Sequence, residues 1–317
     1  MRVLLAYDGS SGAEAARDLA AHLSWPEGTA ITVVAALERG PALFGAPDFA
    51  LTPQNADEAE RVLLADLQEM LHAAAAPLRA VARQIETRVI RGRPASALLD
   101  EALALLPDLI IVGSRGHGPL ATVLLGSVST EVVDHAPCPV LVARGPSVHR
   151  AVIGVDGSES AQRCVDTLAR WPIFAGLPAR VVTVAEPPPM WSGSMGPALY
   201  PAWSQVPDED NDDDRRQQLT DVATRACGQL ARGGLRPTSE VRIGDAAQQL
   251  IAAATEDDAD LIVVGTRGLT TLSRLVIGSV ARKVLLHAPT SVLVIRPSRS
   301  PARVTERTNV MSLAALA

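Results

Sequence analysis

Two glycine-rich segments have the residue types and spacing of a phosphate-binding site. The first is Gly113-Ser114-Arg115-Gly116, followed after nine residues by Gly126-Ser127-Val128. Glycine is needed where the backbone turns sharply or lies against a ligand with no room for a Cβ atom. Successive N–H groups exposed in such a loop form a concave site that suits phosphate oxygens. The spacing therefore predicts that the loop binds a nucleotide through its phosphates.

The same motif occurs again 152 positions later. Gly265-Thr266-Arg267-Gly268 repeats the first loop, and Gly278-Ser279-Val280 repeats the segment that follows it. Arg115 and Arg267 occupy the same place in the two loops, where a guanidinium either neutralises phosphate charge or points into solvent. Duplication at an identical spacing favours a binding loop over an incidental turn. The sequence thus predicts two nucleotide sites per chain.

A carboxylate accompanies each glycine loop, although it lies more than a hundred residues earlier. Asp8 and Asp156 each follow an apolar segment, and each precedes Gly-Ser. In doubly wound sheets the ligand crevice opens at the carboxyl ends of the strands, where the strand order reverses. An aspartate there accepts hydrogen bonds from a base or ribose while the loop binds phosphates. Ser127 and Ser279 begin the following helices, where hydroxyl, N–H groups and helix dipole favour an anion.

Predicted strands alternate with predicted helices, which is typical of an α/β fold with a parallel sheet covered on both faces. Ser11 with Glu14 fits a capping box for a helix that reaches about His22. The five strands predicted in the first unit are residues 3–7, 30–36, 87–90, 109–112 and 139–142. The series restarts at Ala151, so we expect two tandem five-stranded parallel sheets of strand order 3-2-1-4-5, a Rossmann-like architecture.

Two such units account for nearly the whole chain. The expected boundaries are 1–145 and 150–296, followed by a C-terminal tail at 297–317 without a counterpart. The fifth strand of each unit is strongly apolar and ends its sheet, and such an edge must be covered. Val140–Val142 and Val292–Ile295 are therefore expected to pair with each other, joining the units.

Composition narrows the class of function. The 317 residues carry a net charge of −6, which argues against a broad nucleic-acid-binding face. No apolar segment approaches the roughly 18 residues of a membrane span, and no signal peptide is expected. Three scattered cysteines suit a reducing cytoplasm and lack metal-binding spacing. The segment at 186–216 is the main departure between the two units, and it is either a solvated loop or a lid.

The motif Gly-x-x-Gly-x9-Gly-Ser, the early Asp-Gly-Ser, and His-Ala-Pro-Cys-Pro-Val-Leu-Val at 135–142 together resemble the universal stress protein family. The resemblance extends over nearly all of 1–296 and is to the tandem form of the family. It implies a fold of the adenine nucleotide alpha-hydrolase type that binds ATP, with or without Mg²⁺. It also implies a homodimer that acts in stress or dormancy responses through an unidentified regulatory protein.

By motif position, the resemblance places Asp8 and Asp156 at the adenine end, together with the backbone of Ala36 and Ala185 at the ends of the second strands. The residues that it implies for ribose and phosphates are Gly113, Gly116, Gly126, Ser127, Val128, Gly265, Gly268, Gly278, Ser279 and Val280.

Three functions remain open from the sequence. The first is a nucleotide-dependent sensor or regulator. The second is a slow ATPase or self-phosphorylating enzyme, whose candidate acceptors are Ser114, Ser127, Thr266 and Ser279. The third is a partner-binding scaffold with vestigial nucleotide sites. No Ser/His/Asp or Cys/His set recurs in both units. The loop lacks the Lys-Ser/Thr of a Walker motif, since the chain's only lysine, Lys283, lies elsewhere.

Overall fold

The computed structural model describes residues 1–38, 53–116, 125–186, 209–266 and 277–296. The first unit contains the strands β1 (Arg2–Ala6), β2 (Ala30–Leu37), β3 (Gln84–Arg91), β4 (Leu109–Gly113) and β5 (Val140–Ala143). Its α-helices are α1 (Ser11–His22), α2 (Pro53–Ala75), α3 (Pro94–Leu105) and α4 (Ser127–His135).

The second unit repeats this series. Its strands are β6 (Ala151–Gly154), β7 (Pro178–Ala185), β8 (Arg236–Ile243), β9 (Leu261–Gly265) and β10 (Ser291–Ile295). Its α-helices are α5 (Glu159–Arg170), α6 (Glu209–Arg232), α7 (Ala246–Glu256) and α8 (Ser279–His287). Within the described ranges, no helix has both the length and the apolar character needed to cross a bilayer.

All ten strands form one sheet in the order β3-β2-β1-β4-β5-β10-β9-β6-β7-β8. Each unit therefore has the predicted order 3-2-1-4-5, with parallel neighbours throughout. The two halves join where β5 pairs antiparallel with β10, with Leu141 opposite Leu293. The expected pairing of the two apolar fifth strands is confirmed, and it converts two five-stranded sheets into one continuous sheet.

Helices cover both faces of this sheet. One apolar core lies under α1, α2, α5 and α6, and the other lies under α3, α4, α7 and α8. The segment Leu109–Val112 of β4 is buried on both faces, which explains why it reads as an uninterrupted apolar run. The strand that carries the first glycine loop is thus held by apolar contacts on both of its faces.

Two local predictions needed correction. The N-cap of α1 is Ser10 and not Ser11, because the Ser10 hydroxyl accepts the hydrogen bond from Ala13 N at 3.2 Å. The third strand extends over Gln84–Arg91, beyond the predicted 87–90, because all eight residues of β2 pair with it. As an edge strand it carries polar side chains, so its ends do not show as apolar sequence.

Two arginines reinforce the junction between the units in a reciprocal way. Arg144 follows β5 and donates from its guanidinium to the carbonyl oxygens of Leu285, in α8, and Thr290. Arg296 follows β10 and donates to the Val133 carbonyl oxygen in α4. Each unit therefore binds the last turn of the other unit's final helix.

Candidate functional site

The turn after β1 fixes the Asp8 carboxylate. Gly9 has a φ of +77°, in the left-handed region that glycine adopts without steric cost. Ser10 N donates to Asp8 Oδ1 at 3.0 Å, and Ser10 Oγ donates to the same oxygen at 2.6 Å. The serine hydroxyl also lies 3.1 Å from the Arg115 carbonyl oxygen. Asp8 is exposed to solvent, and the two hydrogen bonds from Ser10 fix the orientation of its carboxylate.

The loop after β4 crosses the beginning of α1 with no space between the two backbones. A Cβ atom on Gly12 would overlap the Arg115 carbonyl oxygen. A Cβ atom on Gly113 would lie 2.6 Å from the Gly12 carbonyl oxygen and 2.7 Å from Ala13 N. Neither glycine has a positive φ, so the crossing requires the absence of a side chain and not a special turn.

Asp8 and the first glycine loop face the same space. A Cβ atom on Gly116 would lie 2.6 Å from Asp8 Oδ2. Ser114 N donates to the Ala143 carbonyl oxygen at 2.9 Å, and Gly126 N donates to the Ser114 carbonyl oxygen at 2.7 Å. The structure thus brings Asp8, Gly116 and Gly126 together at the carboxyl ends of β1 and β4, where the strand order reverses.

Helix α4 begins directly at this loop. Its N-cap, Gly126, has an extended backbone and no side chain to bond the first N–H groups of the helix. Ser127 is exposed at the first helical position, and Val128 after it is half-buried. Unpaired N–H groups and the positive end of the helix dipole attract an anion at this point.

Positive charge lies on the loop side of the crevice. Arg115 is exposed within the loop, and Arg144 lies behind it at the end of β5. Burial, and secondarily the charge of Arg115, lowers the pKa of Arg144 to about 10. Arg144 is still protonated at neutral pH, so the loop side is electropositive and faces the negative Asp8.

The second unit repeats the arrangement as far as the structure describes it. Gly157 has a φ of +76°, and Ser158 N donates to Asp156 Oδ1 at 2.9 Å. Thr266 N donates to the Ile295 carbonyl oxygen at 3.1 Å, and Gly278 N donates to the Thr266 carbonyl oxygen at 2.6 Å.

The remaining predicted residues of the second site fall into two groups. Gly265 ends β9, while Ser279 is exposed and Val280 half-buried at the start of α8. Arg267 and Gly268, for which binding was predicted, lie outside the described residues.

The two alanines assigned to the adenine end are not at equivalent positions. Gly92 N donates to the Leu37 carbonyl oxygen, and Gly244 N donates to the Ala185 carbonyl oxygen. Ala185 therefore corresponds to Leu37, and Ala36 corresponds to Val184. Both alanines lie near the carboxyl ends of their strands, but the sequence comparison between the units is off by one residue at this point.

Several functional neighbours were missed from the sequence. Ser10 orients Asp8, Gly12 makes room for the loop, and Ser129 Oγ donates to the Gly113 carbonyl oxygen at 2.6 Å. The repeated Asp-Gly-Ser contained a signal for Ser10. Gly12 and Ser129 have no counterpart of the same type in the second unit, so repetition could not reveal them.

The model of the universal stress protein family matches residues 1–144 and 147–296. A universal stress protein of Thermus aquaticus is 39% identical over 142 residues, which is 45% of this chain and 97% of the relative. A universal stress protein of Mycobacterium tuberculosis is 30% identical over 244 residues, which is 70% of this chain and 68% of the relative.

A solved structure with a similar fold covers almost the whole chain. The crystal structure of a universal stress protein from Archaeoglobus fulgidus superposes with a TM-score of 0.57 at 17% identity. The match covers 93% of this chain and 98% of that protein. At this identity the likeness concerns the fold.

Proposed function

This chain belongs to the universal stress protein family in its tandem form, and from that premise we propose that it binds ATP in two crevices. The bound nucleotide regulates the chain's interaction with a partner protein in a stress or dormancy response. The observation that carries the proposal is the position of Asp8 against Gly116, directly before the uncapped start of α4.

A ligand that fits this crevice carries hydrogen-bond donors at one end and negative charge at the other. The Asp8 carboxylate accepts hydrogen bonds from the amino group of a base or the hydroxyls of a ribose. The backbone N–H groups at the start of α4 bind phosphate oxygens, and Arg115 adds a charge-assisted donor. A nucleotide has both ends, and the family favours adenine as its base.

Binding, and not rapid turnover, is the function that the side chains support. Lys283 Nζ lies 2.6 Å from Asp245 Oδ2, which ties this lysine to the beginning of α7. Both histidines that repeat between units lie at helix C-termini, and His135 Nδ1 contacts the Glu131 carbonyl oxygen of its own helix. Retained ATP, with or without Mg²⁺, is accordingly the signal, and the protein acts as a cytoplasmic homodimer.

The test combines ligand identification with a double variant. Mass spectrometry of small molecules released from the denatured, freshly purified protein should identify ATP. Ser127→Glu together with Ser279→Glu places a negative charge at the start of α4 and of α8. Both positions are exposed, and glutamate there is compatible with helix formation. ATP binding measured by calorimetry should then be undetectable at both sites.

Thr255→Glu is the matched control. Thr255 is exposed near the end of α7, and therefore lies at the opposite edge of the sheet from the crevices. It adds one negative charge away from both crevices and should leave ATP affinity unchanged. Undiminished binding by the double variant would contradict the assigned site. Release of phosphate or covalent labelling from radiolabelled ATP would instead favour the enzymatic alternative.

A further inference from the structure

We propose that the two nucleotide sites are not equivalent, and that the first binds ATP more tightly because Ser129 and Gly12 hold its glycine loop in place. The second unit has Ala281 and Ser160 at the corresponding positions. This inference rests on the function proposed above.

The Ser129 hydroxyl links α4 to the start of the first glycine loop. It donates to the Gly113 carbonyl oxygen at 2.6 Å, and Ser129 is only 4% exposed. Gly113 is both the last residue of β4 and the first residue of the loop motif. The hydrogen bond is thus shielded from water and fixes the start of α4 relative to the strand that carries the loop.

The second unit cannot form this hydrogen bond. Ala281 occupies the same place in α8, at 2% exposure, and its methyl group has no donor. Ala281 instead belongs to the apolar core on this face of the sheet. The link between helix and loop is therefore a property of the first unit.

Gly12 provides a second difference at the other side of the loop. In the first unit the Arg115 carbonyl oxygen occupies the space where a Cβ atom of residue 12 would lie. In α5 this space belongs to the side chain of Ser160, which is buried and lies with its Oγ 2.8 Å from the Cβ position of Gly265. The close contact between loop and helix in the first unit requires glycine at this position, because a Cβ atom on residue 12 would overlap the Arg115 carbonyl oxygen.

A loop that is already ordered before binding gives tighter binding, because less conformational entropy is lost when the ligand is bound. Ser129 and Gly12 act on the loop and not on the ligand, so they are positioning residues. One shielded hydrogen bond that orders the loop corresponds to about tenfold in affinity. We therefore expect the first site to bind ATP about tenfold more tightly than the second.

The experiment measures each site in the full-length chain. Ser279→Glu leaves only the first site able to bind, and Ser127→Glu leaves only the second. Calorimetric titration with ATP should give a Kd about tenfold lower for the Ser279→Glu protein. Adding Ser129→Ala to it should raise that Kd about tenfold. Adding Ala281→Ser to the Ser127→Glu protein should lower its Kd.

Thr29→Val controls for a general loss of packing. Thr29 is 1% exposed, and its hydroxyl donates to the Pro26 carbonyl oxygen at 2.7 Å, before β2 and at the edge of the sheet away from the crevices. It should lower the denaturation midpoint without changing either Kd. Equal Kd values in the two single-site proteins would overturn the inference while leaving the proposed function intact. An unaltered Kd after Ser129→Ala would also overturn it. If the Ser129→Ala protein does not fold, an unaltered Kd after Ala281→Ser in the Ser127→Glu protein would overturn it. Absence of ATP binding in both single-site proteins would overturn the proposed function itself.

Discussion

Replacement of Gly116 by alanine tests whether Asp8 and the glycine loop form one site. The new Cβ atom would lie 2.6 Å from Asp8 Oδ2, closer than carbon and oxygen atoms approach without a bond. Gly116 has no positive φ, so the alanine backbone is unstrained and the fold should persist. The contact is relieved if the Asp8 carboxylate rotates away, which breaks its hydrogen bonds with Ser10 N and Ser10 Oγ.

The magnitude follows from the role of Asp8. A displaced carboxylate no longer accepts its hydrogen bond from the bound nucleotide, and a hydrogen bond to a charged group contributes about 1.5–3 kcal/mol. This loss corresponds to an increase in Kd of about 10- to 150-fold. Because Asp8 is exposed, water replaces part of its lost partners in the free protein, so global stability should change much less than affinity.

Calorimetric titration of ATP into Ser279→Glu proteins with and without Gly116→Ala reads the first site alone. Gly145→Ala is the control, since a Cβ atom there would meet no atom within 4 Å and the residue has no positive φ. It should bind ATP like its parent. If Gly116→Ala also bound ATP like its parent, the shared site of Asp8 and the loop would be refuted.

Four further predictions concern stability. Arg144→Met leaves the carbonyl oxygens of Leu285 and Thr290 without these donors, and should lower the free energy of unfolding in urea by about 2–4 kcal/mol. The more exposed Arg282→Met, which loses an ion pair with Asp134, should cost under about 1 kcal/mol. Gly113→Ala forces a Cβ atom into the Gly12 backbone and should lower the thermal midpoint, at a cost of about 1–3 kcal/mol. The hydrogen bond from Lys283, followed by that from Gln248 N, lowers the pKa of Asp245. Its contribution to stability is present above the ordinary carboxyl pKa and is lost as pH falls below about 4. Asp245→Asn should therefore show a flatter decline in denaturation midpoint between pH 5 and pH 2.

The topology could be predicted because duplication made the important residues visible. Each glycine loop follows an apolar strand that is buried on both faces. Each fifth strand is apolar and forms the edge of its unit's sheet, so it requires a pairing strand. Sheet order and the antiparallel junction follow from those features. The reciprocal arginines also repeat at the same spacing, since Arg144 and Arg296 both follow the fifth strand, yet a lone arginine after a strand indicates nothing about the helix it will contact.

The local register could not be predicted in the same way. A strand end is read from composition, and the run Val184-Ala185 resembles Ala35-Ala36 as well as it resembles Ala36-Leu37. The hydrogen bonds from Gly92 N and Gly244 N decide the alignment, because each glycine pairs with the last residue of the adjacent strand. Likewise Ser10 and Ser11 both suit an N-cap, and only the direction of the Ser10 hydroxyl distinguishes them.

The two units show which contacts require a particular residue type and which require only that two residues carry opposite charges. Arg93 and Glu131 join the start of α3 to α4 at 3.8 Å, whereas Asp245 and Lys283 join the start of α7 to α8 at 2.6 Å with the charges reversed. An ion pair between neighbouring helices remains attractive after both charges are exchanged, so the two units differ there without losing the contact. The crossing at Gly12 has no such freedom, because any side chain overlaps the loop. The second unit has Ser160 at that position, so ATP affinity is expected to differ between the units because of the crossing and not because of the ion pair.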